Sequence, residues 1–381
     1  MAGIYIHVPF CRQACHYCNF HFSVSRKHTD RYLECLLREI DMQRNFFGEP
    51  FGGKPNLDSL YFGGGTPSIL EVGALDKVFE KLSDYFSFGS QTEITLEANP
   101  DDLDREKLQA LKQSPVNRLS IGIQSFHAPD LAYMNRIHDP AQAARAIDNA
   151  LAAGFGNLTV DLIYGTPTMD DHVWKNNLQK FIDYQIPHLS AYALTVEPKT
   201  PLAVKIRRGQ MPPVEEERTA LQFELMVEVM DRAGYAHYEV SNFARSGQFS
   251  RHNLSYWTGK SYLGLGPSAH SFRPGQRWWN VSNTGQYIAL VREGVLPCET
   301  EILTSAQQFD EYVMTSLRTM WGCALDKVEK NWGRARRELL VKQSAGHIRM
   351  GWMVETAGHL VLTPKGMLFA DRIASDLFWG D

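Results

Sequence analysis

Three cysteines stand close together near the start of the chain, in Cys11–Arg12–Gln13–Ala14–Cys15–His16–Tyr17–Cys18, with the spacing C-x3-C-x2-C. Gaps this short fold one loop around one metal centre, and thiolates are soft ligands suited to an iron–sulfur cluster or to zinc. A [4Fe–4S] cluster ordinarily takes four cysteines. Three from one loop leave one iron open to a further ligand, as a catalytic metal centre requires. The same loop also allows a zinc site completed by His7, His16 or His21. Cys35, Cys298 and Cys323 have no such partners in sequence and read as buried thiols.

Other polar residues recur where apolar runs end. Gly63–Gly64–Gly65–Thr66–Pro67 closes one such run. Three glycines let a backbone approach a ligand closely, although a glycine triplet is also an ordinary turn. Glu97, Gln124 and Asp161 lie at or near the ends of three further runs. A single acid or amide in such a place is commonly a cap or turn former, but three in successive units converge on one mouth. Later, Arg251–His252–Asn253–Leu254–Ser255–Tyr256–Trp257 contains His-Asn-x-x-Tyr-Trp. Histidine is a common axial ligand of heme iron, and Tyr256 and Trp257 offer faces to a flat macrocycle. Each of these residues, taken singly, is also ordinary packing.

The elements that must position these residues follow from the patterning. Strands are expected at 3–8, 57–62, 93–97, 118–123, 157–163 and 188–194, with helices at 31–47, 74–85, 104–113, 141–153 and 173–184. Repeated βα units imply an α/β fold with a parallel sheet and right-handed crossovers. Six units are fewer than the eight of a full barrel, so an incomplete (β/α)6 TIM-like barrel is expected, with the chemistry on the loops that follow the strands. After residue 235 the pattern changes. A strand at 235–239 precedes a Gly-, Asn- and aromatic-rich stretch; then come helices at 306–319 and 325–343, a strand at 359–363 and a helix at 366–378. The expected division is a barrel over 1–235, a connecting segment carrying the His-Asn-x-x-Tyr-Trp motif over 236–303, and a small α+β, winged-helix-like domain over 304–381.

Composition narrows the partners. The chain has 381 residues, 44% hydrophobic and 22% charged, with a formal net charge of -4. That charge sets up no field attractive to nucleic acid or an anionic membrane. The basic run at 334–337 reads as a solvated helix face. Winged folds often bind DNA, but no recognition helix with a basic stripe is present, which favours a structural or partner-docking role. No run of about 18 apolar residues suits a transmembrane helix, and the first residues lack the basic and apolar regions of a secretory signal. The cysteine pattern is no disulfide framework, so a reducing compartment is expected, the cytoplasm by default.

The cysteine spacing resembles the signature of radical S-adenosylmethionine (SAM) proteins. Tyr5–Ile6–His7–Val8–Pro9–Phe10–Cys11 resembles the first strand and loop of the oxygen-independent coproporphyrinogen III oxidase family and its relatives, a likeness that runs along nearly the whole chain. The resemblance implies a [4Fe–4S] cluster on Cys11, Cys15 and Cys18. It also implies SAM bound by Tyr5, Tyr17, Gly64, Gly65, Thr66, Glu97, Gln124, Arg136 and Asp161, with Ala193 and His270 as backbone or wall contacts to the adenine. Carboxylates suit the ribose hydroxyls and the sulfonium, and Arg136 suits the SAM carboxylate as a charge-assisted fork. In that superfamily the reduced cluster passes an electron to SAM, giving methionine and a 5′-deoxyadenosyl radical, while the protein orients and shields the cofactor.

Two departures weigh against the oxidase. Its members resemble C-x3-C-x2-C-x-C, whereas Asn19–Phe20 follow Cys18 here, and only ten residues precede Cys11. The segment His252, Asn253, Tyr256 and Trp257, followed by Gly264–Leu265–Gly266–Pro267–Ser268–Ala269–His270–Ser271, resembles the heme-binding signature of HemW-type heme chaperones. The function so implied is a heme chaperone that binds cluster, SAM and heme and hands heme to an acceptor protein. Coproporphyrinogen oxidation, or another radical SAM reaction such as methyl transfer, is the alternative. Neither the acceptor nor the electron donor is legible.

Overall fold

The computed structural model describes residues 2–48 and 53–379. Six parallel strands in chain order form its centre: β1 (Ala2–Val8), β2 (Asn56–Gly64), β3 (Ser87–Ala98), β4 (Arg118–Gln124), β5 (Leu158–Tyr164) and β6 (His188–Ala193). Helices Thr29–Met42, Val72–Ser83, Arg105–Gln113, Pro140–Ala152 and Asp171–Asp183 fill the crossovers. Each expected βα unit is present.

The strands alternate in a way that makes the fold useful. Successive side chains of a strand point to opposite faces. Ile4, Ile6 and Val8 of β1, Leu119, Ile121 and Ile123 of β4, and Leu158, Val160 and Leu162 of β5 are fully buried. The intervening positions carry polar or small groups: Arg118, Ser120, Gly122 and Gln124 on β4, Thr159 and Asp161 on β5, Ser190 on β6. All of these line one internal cavity. An ordinary eight-stranded barrel fills its interior with branched apolar side chains; this one keeps a polar interior.

The sheet does not close. On one side β1 pairs in parallel with β9 (Tyr262–Leu265), which continues through β10 (His270–Arg273) and β11 (Gln276–Asn280) to β12 (Cys298–Ile302). On the other, β6 pairs antiparallel with β8 (Asn242–Ala244), which pairs with β7 (Ala236–Glu239). The result is a twelve-stranded sheet. The stretch expected to be mainly a connection thus supplies short strands that extend both edges. Strands of three to five residues leave little periodicity to read.

A buried carboxylate ties this extension to the barrel. Glu39 accepts hydrogen bonds from the Gly266 backbone N–H (2.8 Å), the Asn280 amide (2.6 Å) and the Tyr287 hydroxyl (2.7 Å).

The last segment is α+β, as expected. A three-stranded sheet, β13 (Cys323–Ala324), β15 (His359–Leu362) and β14 (Met353–Thr356), packs with helices. Two helices expected to be continuous are each broken in two. One divides at Gly333, whose φ of 88° is left-handed, into Leu325–Trp332 and Arg334–Arg349; the other becomes Pro364–Met367 and Ala370–Asp376.

Candidate functional site

The cavity, about 430 Å³, opens at the carboxyl ends of the strands. Its mouth is the loop that leaves β1. Cys11, Cys15 and Cys18 line it together, half-buried, with Gln13, Tyr17 and Phe20. Burial pushes the Cys11 thiol up to about 11 and raises that of Cys18, so each holds its proton until a metal displaces it. The loop is anchored by backbone bonds from Cys11 N–H to Ser23 O (3.0 Å) and from His16 N–H to Met134 O (3.1 Å).

The glycine run forms the opposite lip. Gly65 N–H donates to Val8 O (2.9 Å) and Thr66 N–H to Phe10 O (2.7 Å), which docks this turn on the backbone that leads into Cys11. A Cβ at Gly65 would lie 2.7 Å from Phe10 O and 2.8 Å from Val8 O. At Gly64, where φ is 106°, it would meet the His7 ring at 2.6 Å. Only glycine permits both approaches.

A polar chain links two of the cysteines. The Thr66 hydroxyl contacts Cys11 Sγ (3.5 Å), and the Asn99 amide donates to Thr66 Oγ1 (3.1 Å). Arg136 Nη2 donates to Asn99 Oδ1 (2.6 Å) and Gly122 O (2.8 Å), while its Nη1 reaches Cys15 Sγ (3.5 Å). Arg136 is therefore directed into the cavity and is no surface ion pair, and its Nε has no partner among the described residues. Asn99 was not singled out from the sequence. Its position after β3 and immediately before Pro100 is the signal that could have found it.

Glu97 and Asp161 face the interior from β3 and β5. Glu97 accepts from Tyr61 OH (2.8 Å) and Gly64 N–H (3.1 Å); burial, with the charge of Asp161 beside it, pushes its carboxyl up to about 7. Asp161 accepts from Ser120 Oγ (3.2 Å), and burial raises it to about 6. Gln124 ends β4 in the left-handed region, φ 63°, a conformation that non-glycine residues adopt at a cost and that clusters at ligand sites. Gly64, Thr66, Gln124, Asp161 and Ala193 all line the cavity with them.

Other expected site residues lie elsewhere. Tyr5 stands behind Tyr61, ring centroids 6.1 Å apart. His270 is exposed on β10, 6.4 Å from the Trp279 ring. The His-Asn-x-x-Tyr-Trp segment forms the short helix Arg251–Trp257 at the amino end of the barrel. Only its Asn253 lines the cavity. His252 is 1% exposed; its Nδ1 meets Ser59 Oγ (2.9 Å) and its Nε2 meets Tyr256 OH (2.8 Å). Burial lowers the imidazole to about 3. Trp257 is half-buried beneath the Arg318 guanidinium, 5.1 Å from its ring.

The donor set can be weighed against each metal reading. No three His, Cys, Asp or Glu side chains among the described residues converge as a single-ion site, which zinc would need. A cluster asks for a different arrangement, because each thiolate meets its own iron. Three thiols around one mouth, with a guanidinium on one sulfur and a hydroxyl on another, fit that demand.

A family model for the radical SAM superfamily matches residues 5–180. A solved structure of coproporphyrinogen III oxidase (HemN) from Escherichia coli shares the fold, with a TM-score of 0.85 at 23% identity, covering 99% of this chain and 90% of that one. The matched model marks residues 5–180 as a radical SAM segment, which implies a [4Fe–4S] cluster and SAM. Heme chaperone HemW of Bacillus subtilis is 32% identical over 376 residues, 98% of either chain. Heme chaperone HemW of Mycobacterium tuberculosis is 33% identical over 380 residues, 98% of this chain and 94% of that one. The chain belongs to the HemW family. No helix among the described residues is long and apolar enough to cross a membrane.

Proposed function

We propose that this protein is a heme chaperone on a radical SAM scaffold, working in the cytoplasm, which takes up heme and delivers it to an acceptor protein. The observation that carries this reading is its near-full-length similarity to HemW proteins, joined to a His-Asn-x-x-Tyr-Trp helix whose Asn253 opens on the same cavity as the three cysteines.

Cys11, Cys15 and Cys18 would hold the cluster, which when bound supplies the electron that splits SAM. The chain's own residues bind and orient. Glu97 and Asp161 suit the ribose hydroxyls and the sulfonium, Arg136 suits a carboxylate as a fork, and Tyr17, Gly64, Gly65, Thr66, Gln124 and Ala193 complete the walls. Heme would be taken through His252, with Asn253, Tyr256 and Trp257 around it. Both nitrogens of His252 are already engaged, so the imidazole must turn from Ser59 or Tyr256 to meet an iron. The test is a heme titration of the anaerobically reconstituted protein beside His252→Ala. Saturable one-to-one binding with a ligand band absent from the variant is expected; equal spectra for both proteins would remove His252 as the ligand.

Fold likeness to HemN supports a second reading, oxidative decarboxylation of coproporphyrinogen III. Turnover of that porphyrinogen by the reconstituted protein would favour it over a chaperone role alone.

A further inference from the structure

The cavity wall and the His-Asn-x-x-Tyr-Trp helix meet in a cluster of three rings, Tyr5, Tyr61 and His252. Tyr61 projects from β2 with its hydroxyl on Glu97 Oε1 at 2.8 Å. The His252 imidazole packs on the Tyr61 ring at 5.0 Å with the planes 24° apart, and Tyr5 lies about equally far from both, 6.1 Å from Tyr61 and 6.2 Å from His252. His252 is held in turn from three directions: Ser59 Oγ on Nδ1, Tyr256 OH on Nε2, and the Glu93 carboxylate on its backbone N–H at 3.1 Å. Ser59 and Tyr61 are two apart on β2 and so share its inner face. The product of this set is a fixed Tyr61 ring and, through the hydroxyl, a fixed Glu97 carboxylate.

We infer that His252 and Tyr61 are positioning residues for Glu97, so that the helix expected to take heme also sets the geometry of the carboxylate expected to take SAM. The inference rests on the functional reading above, in which Glu97 contacts SAM. It has a consequence for both ligands. The imidazole cannot meet an iron without leaving Ser59 or Tyr256, and leaving removes the support beneath Tyr61. Heme at His252 and SAM at Glu97 therefore oppose one another, by the same factor in each direction.

The experiment is equilibrium binding of SAM to the full-length, cluster-reconstituted protein without reductant, so that no cleavage intervenes. His252→Ala, which removes the ring, is expected to weaken SAM binding about tenfold, the scale of a hydrogen bond to a charged group. Tyr61→Phe is expected to weaken it by a similar factor, and the double variant by little more than either, because the two act through one carboxylate. His252→Phe keeps a ring on Tyr61 and discards both nitrogens; it should retain SAM affinity within about threefold while losing the heme ligand band. Loading wild-type protein with heme should weaken SAM as His252→Ala does. Cluster absorbance and circular dichroism identify any variant that fails to fold, and His252→Phe, which keeps a planar ring, then carries the comparison through heme loading.

Equal SAM affinity in wild type, His252→Ala and Tyr61→Phe, with no effect of heme, overturns the inference and leaves the SAM site intact. Failure of wild-type protein to bind SAM, or binding indifferent to Glu97→Gln, overturns the functional reading and the inference with it.

Discussion

The imidazole of His252 lies nearly parallel to the phenol of Tyr61, with ring centroids 5.0 Å apart. The first belongs to a helix at the amino end of the barrel and the second to the wall of a cavity that opens at the carboxyl end. The interior of the barrel is what lets them meet. Ser59, Tyr61, Glu97, Ser120 and Asp161 replace the apolar layers that would otherwise separate the two ends. A polar interior of this kind lowers stability unless every group is satisfied, and two of its acids are held well above their ordinary range.

Those acids give the first prediction. The carboxyl of Glu97, pushed up to about 7, titrates near 4.5 in the unfolded chain, so between those values the folded protein binds the extra proton. Its contribution to stability therefore falls as pH rises through that window. Glu97→Gln removes the charge; its one carbonyl oxygen can accept from Gly64 N–H while its NH2 donates to the Tyr61 oxygen. The ligand-free variant should be more stable than wild type at pH 8, by at most about 3 kcal/mol at 1.36 kcal/mol per unit, and the gain should shrink at pH 5.5. The same variant should lose SAM binding, which in wild type strengthens from pH 6 to 8. Thermal unfolding at two pH values, beside SAM titration, checks both.

Much of this arrangement is legible in the sequence. The six βα units, the cysteine loop and the acids near strand ends follow from period-two alternation and short-range spacing. Arg136 is placed by resemblance, since nothing local separates a buried arginine from a surface one. What stayed hidden is long-range. Tyr61 reads as one more apolar strand residue, and its role appears only when β2 is set beside Glu97 of β3 and the helix of His252, 191 residues later. The strands β8–β12 were hidden for another reason: each is too short to show a period. His252 itself was singled out, but its burial was not, because a histidine in a motif carries no sign of which way it points.

Arg136 supports a second prediction. Its guanidinium spans Asn99, Gly122 O and Cys15 Sγ at once, which a planar fork can do and an ammonium cannot. Arg136→Ala should weaken SAM binding at least tenfold and speed iron loss to a chelator. Arg136→Lys should recover little of either, because one point charge cannot bridge the sulfur and the amide. Bleaching of the cluster band under chelator, followed for the three proteins, tests this; full recovery by lysine would reduce the role of Arg136 to charge alone.

The heme ligand gives a third. Burial lowers His252 to about 3, so the free protein already holds it neutral throughout the physiological range. Ligation then displaces no proton from it. Heme affinity should change less than about twofold between pH 6 and 8, whereas an exposed histidine near 6.5 would lose several-fold at the acid end. A steep rise in affinity across that interval would point to another ligand.

The glycine lip supplies the last. Gly65 has no room for a side chain: an added Cβ would fall within 3 Å of the carbonyls of Val8 and Phe10, and Phe10 O is the acceptor for Thr66 N–H beside Cys11. Backbone is less able to yield than a flexible side chain, so Gly65→Ala must move the cluster loop or break that bond. The expected cost is about 2–4 kcal/mol, together with poorer iron incorporation on reconstitution. Gly73 lies in helix Val72–Ser83, where an added Cβ meets nothing within 4 Å, and Gly73→Ala should be neutral or slightly stabilising. Urea unfolding and iron content of the two variants separate a local clash from a general intolerance of alanine. A Gly65→Ala protein that matched the Gly73 control in both would mean that the loop and the glycine turn can part without loss of the cluster site.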